Sequence, residues 1–456
     1  MGWHKADTST LRFTRKGRGD ERCNMKRTHN EQRRVVITGL GVVAPNGIGK
    51  EDFWHACISG RSGIRRITRF DAGHLPVQIA GEVTDFCPEA LGLKEDECTS
   101  LDRAAQFAVA ASNLAMQDAG LLNMLSEEER DHIGVSMGSA MASVEGGERY
   151  WAAYTNNGTR PPRLPEEDIT FPMPIMTHAS GAAIAHHHQL HGPCLALTTA
   201  CSAGADAIGE AFWSIQGGYA DRMLAGGSDS AITNVGISVF ACIGALSTRN
   251  AEPERASRPY DQSRDGFVMA EGAGVLILEE RELALARSAH IYAEVLAFTS
   301  NCNSYHMTSL PEDGTPLSQF LRQALHDAGI VQEQLDYINS HGSSTLPNEV
   351  AETAAYKAVF GDYAYRIPIS STKSMIGHTQ GAASAIEAIV TALTLERQII
   401  PPTINQEHPD PRCDLDYVPN VARQATVNVA LTHSSGFGGV NSALILARPS
   451  WRGKQC

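Results

Sequence analysis

Two stretches of this chain read alike, and together they restrict its fold more than any other feature. "LTTACSAGADAIGEA" (197–211) and "SSTKSMIGHTQGAASAIEA" (370–388) each run from an apolar strand into a helix rich in alanine and glycine. Small side chains let a helix pack closely on several sides, so each reads as a tightly buried central element. The surroundings repeat as well. "VVITGLG" (35–41), "HIGVSMG" (132–138), "CLALTTA" (194–200), "RMLAGGSD" (222–229) and "GAGVLILEE" (272–280) predict strands, and "LDRAAQFAVAASNLAMQDAG" (101–120) predicts a helix. From about residue 290 the pattern restarts: strands at "HIYAEVLAFTS", "LDYINSHG", "IPISSTKS", "ATVNVALTHSS" and "NSALILAR", with helices at "LSQFLRQALHDAG" and "NEVAETAAYKAVFG". Strands alternating with helices predict an α/β fold with mostly parallel sheets. The expected division is a disordered basic tail over 1–33, one half over 34–288 with cap loops, and a second over 289–456. Residues 139–180, with five prolines between 161 and 174, predict a long functional loop.

Charge and cysteine usage exclude several classes. A net charge of −13 argues against nonspecific binding of the body to nucleic acid or anionic membrane. No apolar run reaches the length of a membrane span. The ten cysteines are scattered with no C-x-x-C pair, which reads as reduced thiols in a cytoplasmic protein without a zinc site. Residues 1–34 carry ten Lys/Arg against four Asp/Glu, and Met25 offers an alternative start before the first strand. In "HHHQLH" (186–191), His187 and His191 stand four apart without the acidic partner of a metalloprotease helix, so a solvated helix face is expected rather than a metal site.

Four places can carry chemistry. Cys201 lies at a strand-to-helix turn, where it is packing filler, a metal ligand or a nucleophile. The helix N-terminus there is expected to lower the thiol pKa. His341, in "SHGSST" (340–345), follows a predicted strand. Lys373 and His378 lie between a strand and a helix in "STKSMIGHTQGAAS" (371–384). "SSGFGGVN" (434–441) places glycines after a buried strand, where backbone N–H groups can approach a ligand. Each of the first three falls at the C-terminal end of a strand, where open α/β sheets place their sites. A cysteine, two histidines and a lysine form an acyl-transfer set.

With "TACSAG", "LSTRN", "SRPYDQSRDGFV", "HGSST", "STKSMIGHTQGAA", "IIPPTIN", "CDLDYVPN" and "GFGGVN" in hand, the chain resembles the elongating β-ketoacyl-acyl carrier protein synthases, from about Arg34 to Arg448. The resemblance implies a thiolase fold, with duplicated halves in a five-layered αβαβα arrangement. It implies Cys201 as nucleophile, His341 and His378 as the pair promoting decarboxylation, and Lys373 with Glu387 as a supporting ion pair. It also implies an oxyanion hole from the N–H groups of Cys201 and Phe437, with Phe437 as a gate. The expected partners are an acyl carrier protein, which brings substrates on phosphopantetheine with no other cofactor, and a second copy of the chain.

The motifs also depart from the family's usual pattern. Ser343 replaces a threonine, Glu349 an aspartate and Ser435 a phenylalanine; Gly244 stands where a basic residue usually precedes "LSTR". Met141, in "GSAMAS" (138–143), and Phe240 fall at acyl-pocket positions. Met141, Phe240, Ser343, Thr345, Ser435, Gly436 and Gly438 are therefore the expected substrate-binding residues. Arg61, Arg65, Arg66 and Arg69 are a candidate patch for docking an acidic carrier protein. These departures suggest a specialised polyketide or polyene-type pathway beside ordinary fatty acid synthesis. Two alternatives stand: the catalytic subunit of a heterodimer with a chain-length factor, and a non-condensing partner, against which the presence of Cys201 argues.

Overall fold

A computed structural model describes residues 33–141, 144–162 and 175–453. The proposed tail, Met25 included, lies outside these apart from Arg33. That residue belongs to the body: its guanidinium is bonded to Asp221 at 2.5 Å and to the carbonyl of Ile215 at 3.2 Å.

Ten strands build the core sheet. The first five are β1 (Val35–Ala44), β2 (Ile133–Gly138), β3 (Cys194–Leu197), β4 (Arg222–Asp229) and β5 (Gly272–Glu280). The second five are β6 (Ala293–Cys302), β7 (Tyr337–Asn339), β8 (Ile369–Ser370), β9 (Val429–Ser435) and β10 (Val440–Ala447). Across the sheet they run β8-β7-β9-β10-β6-β1-β5-β4-β2-β3, and a short eleventh strand, Gly47–Ile48, pairs with β1. Numbered within its own half, each set of five has the order 3-2-4-5-1. The duplication that composition only hinted at is thus written in the topology.

The expectation of mostly parallel pairing is corrected. Only the two outer pairs at each end are parallel, and the five pairs in the middle are antiparallel. A fully buried strand is apolar along its whole length whichever way its neighbour runs, so sequence does not reveal direction. The halves join through a brief antiparallel β1–β6 ladder, Val35–Ile37 against Ala293–Val295.

Helices complete the five layers. The outer face of the first half carries α1 (Arg103–Asp118) and α2 (Ala179–His188). The outer face of the second carries α4 (Thr315–Asp327) and α5 (Asn348–Phe360). Between the halves lie α3 (Ala203–Gln216) and α6 (Ala383–Arg397), the two small-residue helices, each packed against strands of both halves. Their closeness explains their composition. A Cβ on Gly204 would fall 2.8 Å from the carbonyl oxygen of Gly381 and 2.9 Å from the Cβ of Ala385.

Two local expectations also change. The stretch 139–180 is not wholly irregular: Val144–Thr155 is helical, while 163–174 lie outside the described residues. The histidine run is only in part a solvated face: His186 and His191 are exposed, but the two histidines between them are not. His188 is buried against Ser112, and His187 binds Glu97 at 2.8 Å and Asn113 at 3.0 Å. Glu97 comes from the separate helix Glu95–Ser100, a partner that no local spacing reveals, and His191 lies beyond the end of α2.

Candidate active site

The two central helices begin with the same turn. Thr199, Ala200 and Cys201 lead into α3 as Thr379, Gln380 and Gly381 lead into α6. Ala200 and Gln380 both stand at φ 54°, in the left-handed region that costs a residue with a Cβ about 1 kcal/mol. The turn thus presents Cys201 in one half and only a glycine in the other. A Cβ on Gly381 would fall 2.5 Å from the Ala140 nitrogen and 2.6 Å from Asp229 Oδ2, which leaves no room for a second thiol.

Cys201, His341 and His378 line one cleft with Phe240, Phe267, Ser343, Thr345, Ser435, Gly436 and Phe437. The cleft encloses about 600 Å3, its open mouth included. The imidazoles of His341 and His378 meet edge to face, with ring centres 5.4 Å apart. His378 Nδ1 accepts the backbone N–H of Gln380 at 3.2 Å, so its proton sits on Nε2. His341 Nδ1 lies 3.2 Å from Ser434 Oγ, which also bonds the carbonyl of Cys201 at 3.1 Å. Burial, followed by the charge of Lys373, holds both imidazoles well below the ordinary histidine pKa, so both are neutral.

Behind them, the 1% exposed ammonium of Lys373 donates to Glu387, which is fully buried on α6. Burial pushes the Glu387 carboxyl up to about 7 against the pull of that lysine.

The expectation of an acidic thiol is corrected. Burial pushes the Cys201 thiol up to about 11, opposed by Lys373 and by the N–H groups of Phe437 and of Cys201 itself. Desolvation of a thiolate outweighs the partial charges at a helix end, so the resting group is a thiol. Those two N–H groups nevertheless converge on the sulfur.

The loop around Phe437 lies directly on the Cys201 turn. A Cβ on Gly436 would be 3.0 Å from the Thr199 oxygen and 3.2 Å from the Cys201 nitrogen. Gly438 (φ 87°) and Gly439 (φ 83°) turn the chain back, and the Gly438 N–H donates to the Met307 carbonyl at 2.7 Å. Gly438 therefore holds the loop and does not line the cleft. Ser435 lines it, but its hydroxyl donates to Asn441 Oδ1 at 2.8 Å. The Asn441 amide in turn donates to Asn301 at 2.8 Å and Asn303 at 2.6 Å, so Ser435 is tied into a polar network.

Phe437 stacks on Phe240 at 6.1 Å, Phe240 meets Phe267 at 5.7 Å, and Phe267 meets His378 at 5.2 Å. Met141 packs against the same apolar cluster behind this aromatic wall and outside the cleft lining. Its loop is held by Asp229, which accepts from the Met141 N–H at 3.1 Å, the Ala140 N–H at 2.8 Å and the Gly381 N–H at 2.6 Å. Glu349 is buried beside Arg264 at 3.3 Å and accepts the Ser344 N–H, so it shapes the "HGSST" turn from behind.

The arginine patch divides. Arg61 bonds the Asn46 carbonyl at 2.7 Å, Arg65 the Thr84 hydroxyl at 2.9 Å and Arg66 the Gln78 amide at 3.0 Å, all at the surface. Arg69 is withdrawn from any docking role. It is locked between Glu271 at 2.7 Å and Glu145 at 2.6 Å, and Arg103 shares the fully buried Glu271.

Several residues of the site escaped sequence reading. Phe267 lies inside "SRPYDQSRDGFV", but nothing there marks it as a wall of the cleft. The segment His306–Leu310 lines the mouth without any periodicity or motif, and Ser434 and Asp229 act only through partners distant in the chain. Among the described residues, no group of three or more His, Cys, Asp or Glu is arranged to hold a metal ion. No helix there is long and apolar enough to cross a membrane.

Known proteins match the chain over most of its length. Residues 32–284 match the sequence model for the N-terminal domain of beta-ketoacyl synthase, and residues 292–407 match that for its C-terminal domain. The chain is 44% identical over 418 residues to 3-oxoacyl-(acyl-carrier-protein) synthase 2 of Coxiella burnetii, covering 92% of this chain and 99% of that protein. It is 42% identical over 428 residues to the tetracenomycin polyketide synthase ketoacyl synthase alpha subunit of Streptomyces glaucescens, covering 92% and 99%. Among solved structures, the complex of a type II PKS acyl-carrier protein with its ketosynthase bound to the hexaketide superposes with a TM-score of 0.83 at 37% identity, covering 91% of this chain and 99% of that one. The ishigamide ketosynthase/chain length factor gives a TM-score of 0.82 at 36% identity, with the same coverage.

Proposed function

The chain belongs to the β-ketoacyl synthase family, and from that premise we propose that it performs a decarboxylative Claisen condensation on Cys201. An acyl chain arrives on the phosphopantetheine of an acyl carrier protein. The Cys201 sulfur attacks the thioester carbonyl, the thiol proton passes to the departing pantetheine sulfur, and the acyl group stays on the enzyme. Malonyl-carrier protein follows. Its C–C bond to the carboxylate breaks, CO2 leaves, and the electron pair becomes an enolate. That carbon attacks the acyl thioester. Collapse of the adduct releases β-ketoacyl-carrier protein and a Cys201 thiolate, which takes up a proton.

The observation that carries this reading is the pair of neutral imidazoles sharing one cleft with the thiol. His378 has its Nδ1 occupied, leaving Nε2–H as a donor for the malonyl thioester oxygen. For His341 to offer a second Nε2–H, the single Ser434 hydroxyl proton turns from the Cys201 carbonyl to His341 Nδ1, which accepts it. Lys373 and Glu387 support the pair from behind. The N–H groups of Cys201 and Phe437 receive the oxyanion of the acyl thioester. Ser343 and Thr345, their hydroxyls 2.9 Å apart, offer hydrogen bonds to the pantetheine arm. The chain itself extends past Phe437 toward Phe240 and Met141. No further cofactor takes part.

The protein acts in the cytoplasm, in fatty acid or specialised polyketide or polyene synthesis, as a dimer. The open edge β3 (Cys194–Leu197), with side chains partly or fully exposed, is a surface that a second chain would cover. The likeness to the ishigamide ketosynthase/chain length factor favours one second reading, the catalytic subunit of such a heterodimer. Copurification of a homologous second chain distinguishes the two.

The test separates the half-reactions. Cys201→Ala should abolish acyl loading and condensation, while His341→Ala or His378→Ala should reduce CO2 release from malonyl-carrier protein more than acyl loading. Normal elongation by Cys201→Ala would overturn the proposal.

A further inference from the structure

Asp206, in the first turn of α3, is a buried carboxylate that the condensation does not use. Thr199 Oγ1 donates to its Oδ2, and Ser442 Oγ donates to its Oδ1. The two donors come from opposite halves. Thr199 lies two residues before Cys201. Ser442 is on β10 and Ser300 on β6, directly opposite each other in the ladder. On its other side Ser442 faces Ser434 of β9, so Ser434, Ser442 and Ser300 share one face of three neighbouring strands. Ser434 in turn bonds the Cys201 carbonyl at 3.1 Å, and Ser202 Oγ bonds the carbonyls of Ser434 at 3.2 Å and Val440 at 3.0 Å.

We propose that Asp206 is a positioning residue: its carboxylate clamps the Thr199–Cys201 turn onto the serine row of the second half and so aims the Cys201 N–H at the acyl oxygen. The turn needs such a clamp. Ala200 is held at φ 54°, a conformation that persists only where its surroundings overdetermine it. An ionised carboxylate is an acceptor only and suits two hydroxyl donors, one on each oxygen. An amide in its place turns an NH2 toward at least one of them. The clamp also crosses between the halves, so the geometry of a turn in the first depends on strands of the second.

The inference rests on the reading of Cys201 as the acyl carrier, and the experiment separates the two. In the full-length protein, Asp206→Asn should slow acyl transfer from acyl carrier protein to Cys201 by about tenfold or more, because a misplaced donor weakens oxyanion binding. The rate of Cys201 alkylation by iodoacetamide, which needs no oxyanion hole, should stay within about twofold of wild type, as should the KM for the acyl carrier. Thr199→Val removes one clamp partner at nearly constant shape and should give the same split, which guards against a misfolded aspartate variant. Acyl transfer at the wild-type rate in both variants would overturn the inference. So would a parallel loss of loading and alkylation with a lowered melting point, the mark of a merely structural role. Loading that persists in Cys201→Ala would overturn the acyl-carrier reading instead.

Discussion

The Cys201 thiol is set by a contest between two environments, and burial wins. The start of α3 and the Phe437 N–H favour a thiolate, but the sulfur lies in a nearly closed, mostly apolar site that pushes the thiol up to about 11. The consequence is a pH dependence with a definite sign. Below the thiol pKa the thiolate fraction grows tenfold per pH unit. Alkylation of Cys201 by iodoacetamide should therefore keep rising from pH 7 to pH 9 without a plateau. A plateau near neutral pH would show that the helix end and the N–H groups dominate after all. Nucleophilicity at pH 7 then depends on the substrate.

Among the elements, α3 and α6 set the tolerances of the site. Each begins at a turn with a residue at φ 54°, and each passes so close to the other that Gly204 has no room for a methyl group. Gly204→Ala should push the helices apart, because the nearest atoms are the backbone of Gly381 and the Cβ of Ala385, neither of which can swing away. Overpacking of this kind costs about 1–3 kcal/mol. Thermal unfolding should show a lower midpoint, and acyl loading should fall with it, since the same shift displaces the Cys201 turn. An unchanged midpoint would mean that the helices separate freely and that the small-residue pattern is not a packing constraint.

Across the whole molecule, charge and site are separated. The net charge is −13, yet an acyl carrier protein, itself acidic, has to approach. Arg61, Arg65 and Arg66 remain as the surface basic group, whereas Arg69 is spent on Glu271 and Glu145 inside the body. Reversing Arg65 and Arg66 together to Glu should raise the apparent KM for carrier-bound substrate and leave that for a small thioester analogue nearly unchanged. Equal effects on both would remove the patch from docking. Arg69→Ala belongs to a different class. It takes a partner from the fully buried Glu271 and should lower stability rather than alter carrier affinity.

The division between what sequence determines and what tertiary structure decides follows the range of the forces. Strands and helices were legible because apolar periodicity and small-residue runs are local, and Cys201, His341, His378 and Lys373 could be singled out because each lies in a short turn with its own motif. The directions of the central strands, the partner of His187, the ion pairs of Arg69 and the polar contacts of Ser435 were not. The side-chain contacts depend on residues far away in the chain: Glu97 for His187, Glu271 for Arg69, and Asn301 and Asn303, reached through Asn441, for Ser435. The same holds for the Cys201 pKa. A helix start can be read from the sequence, but desolvation comes from the segments that close over it, and only the assembled fold fixes how much water the sulfur retains.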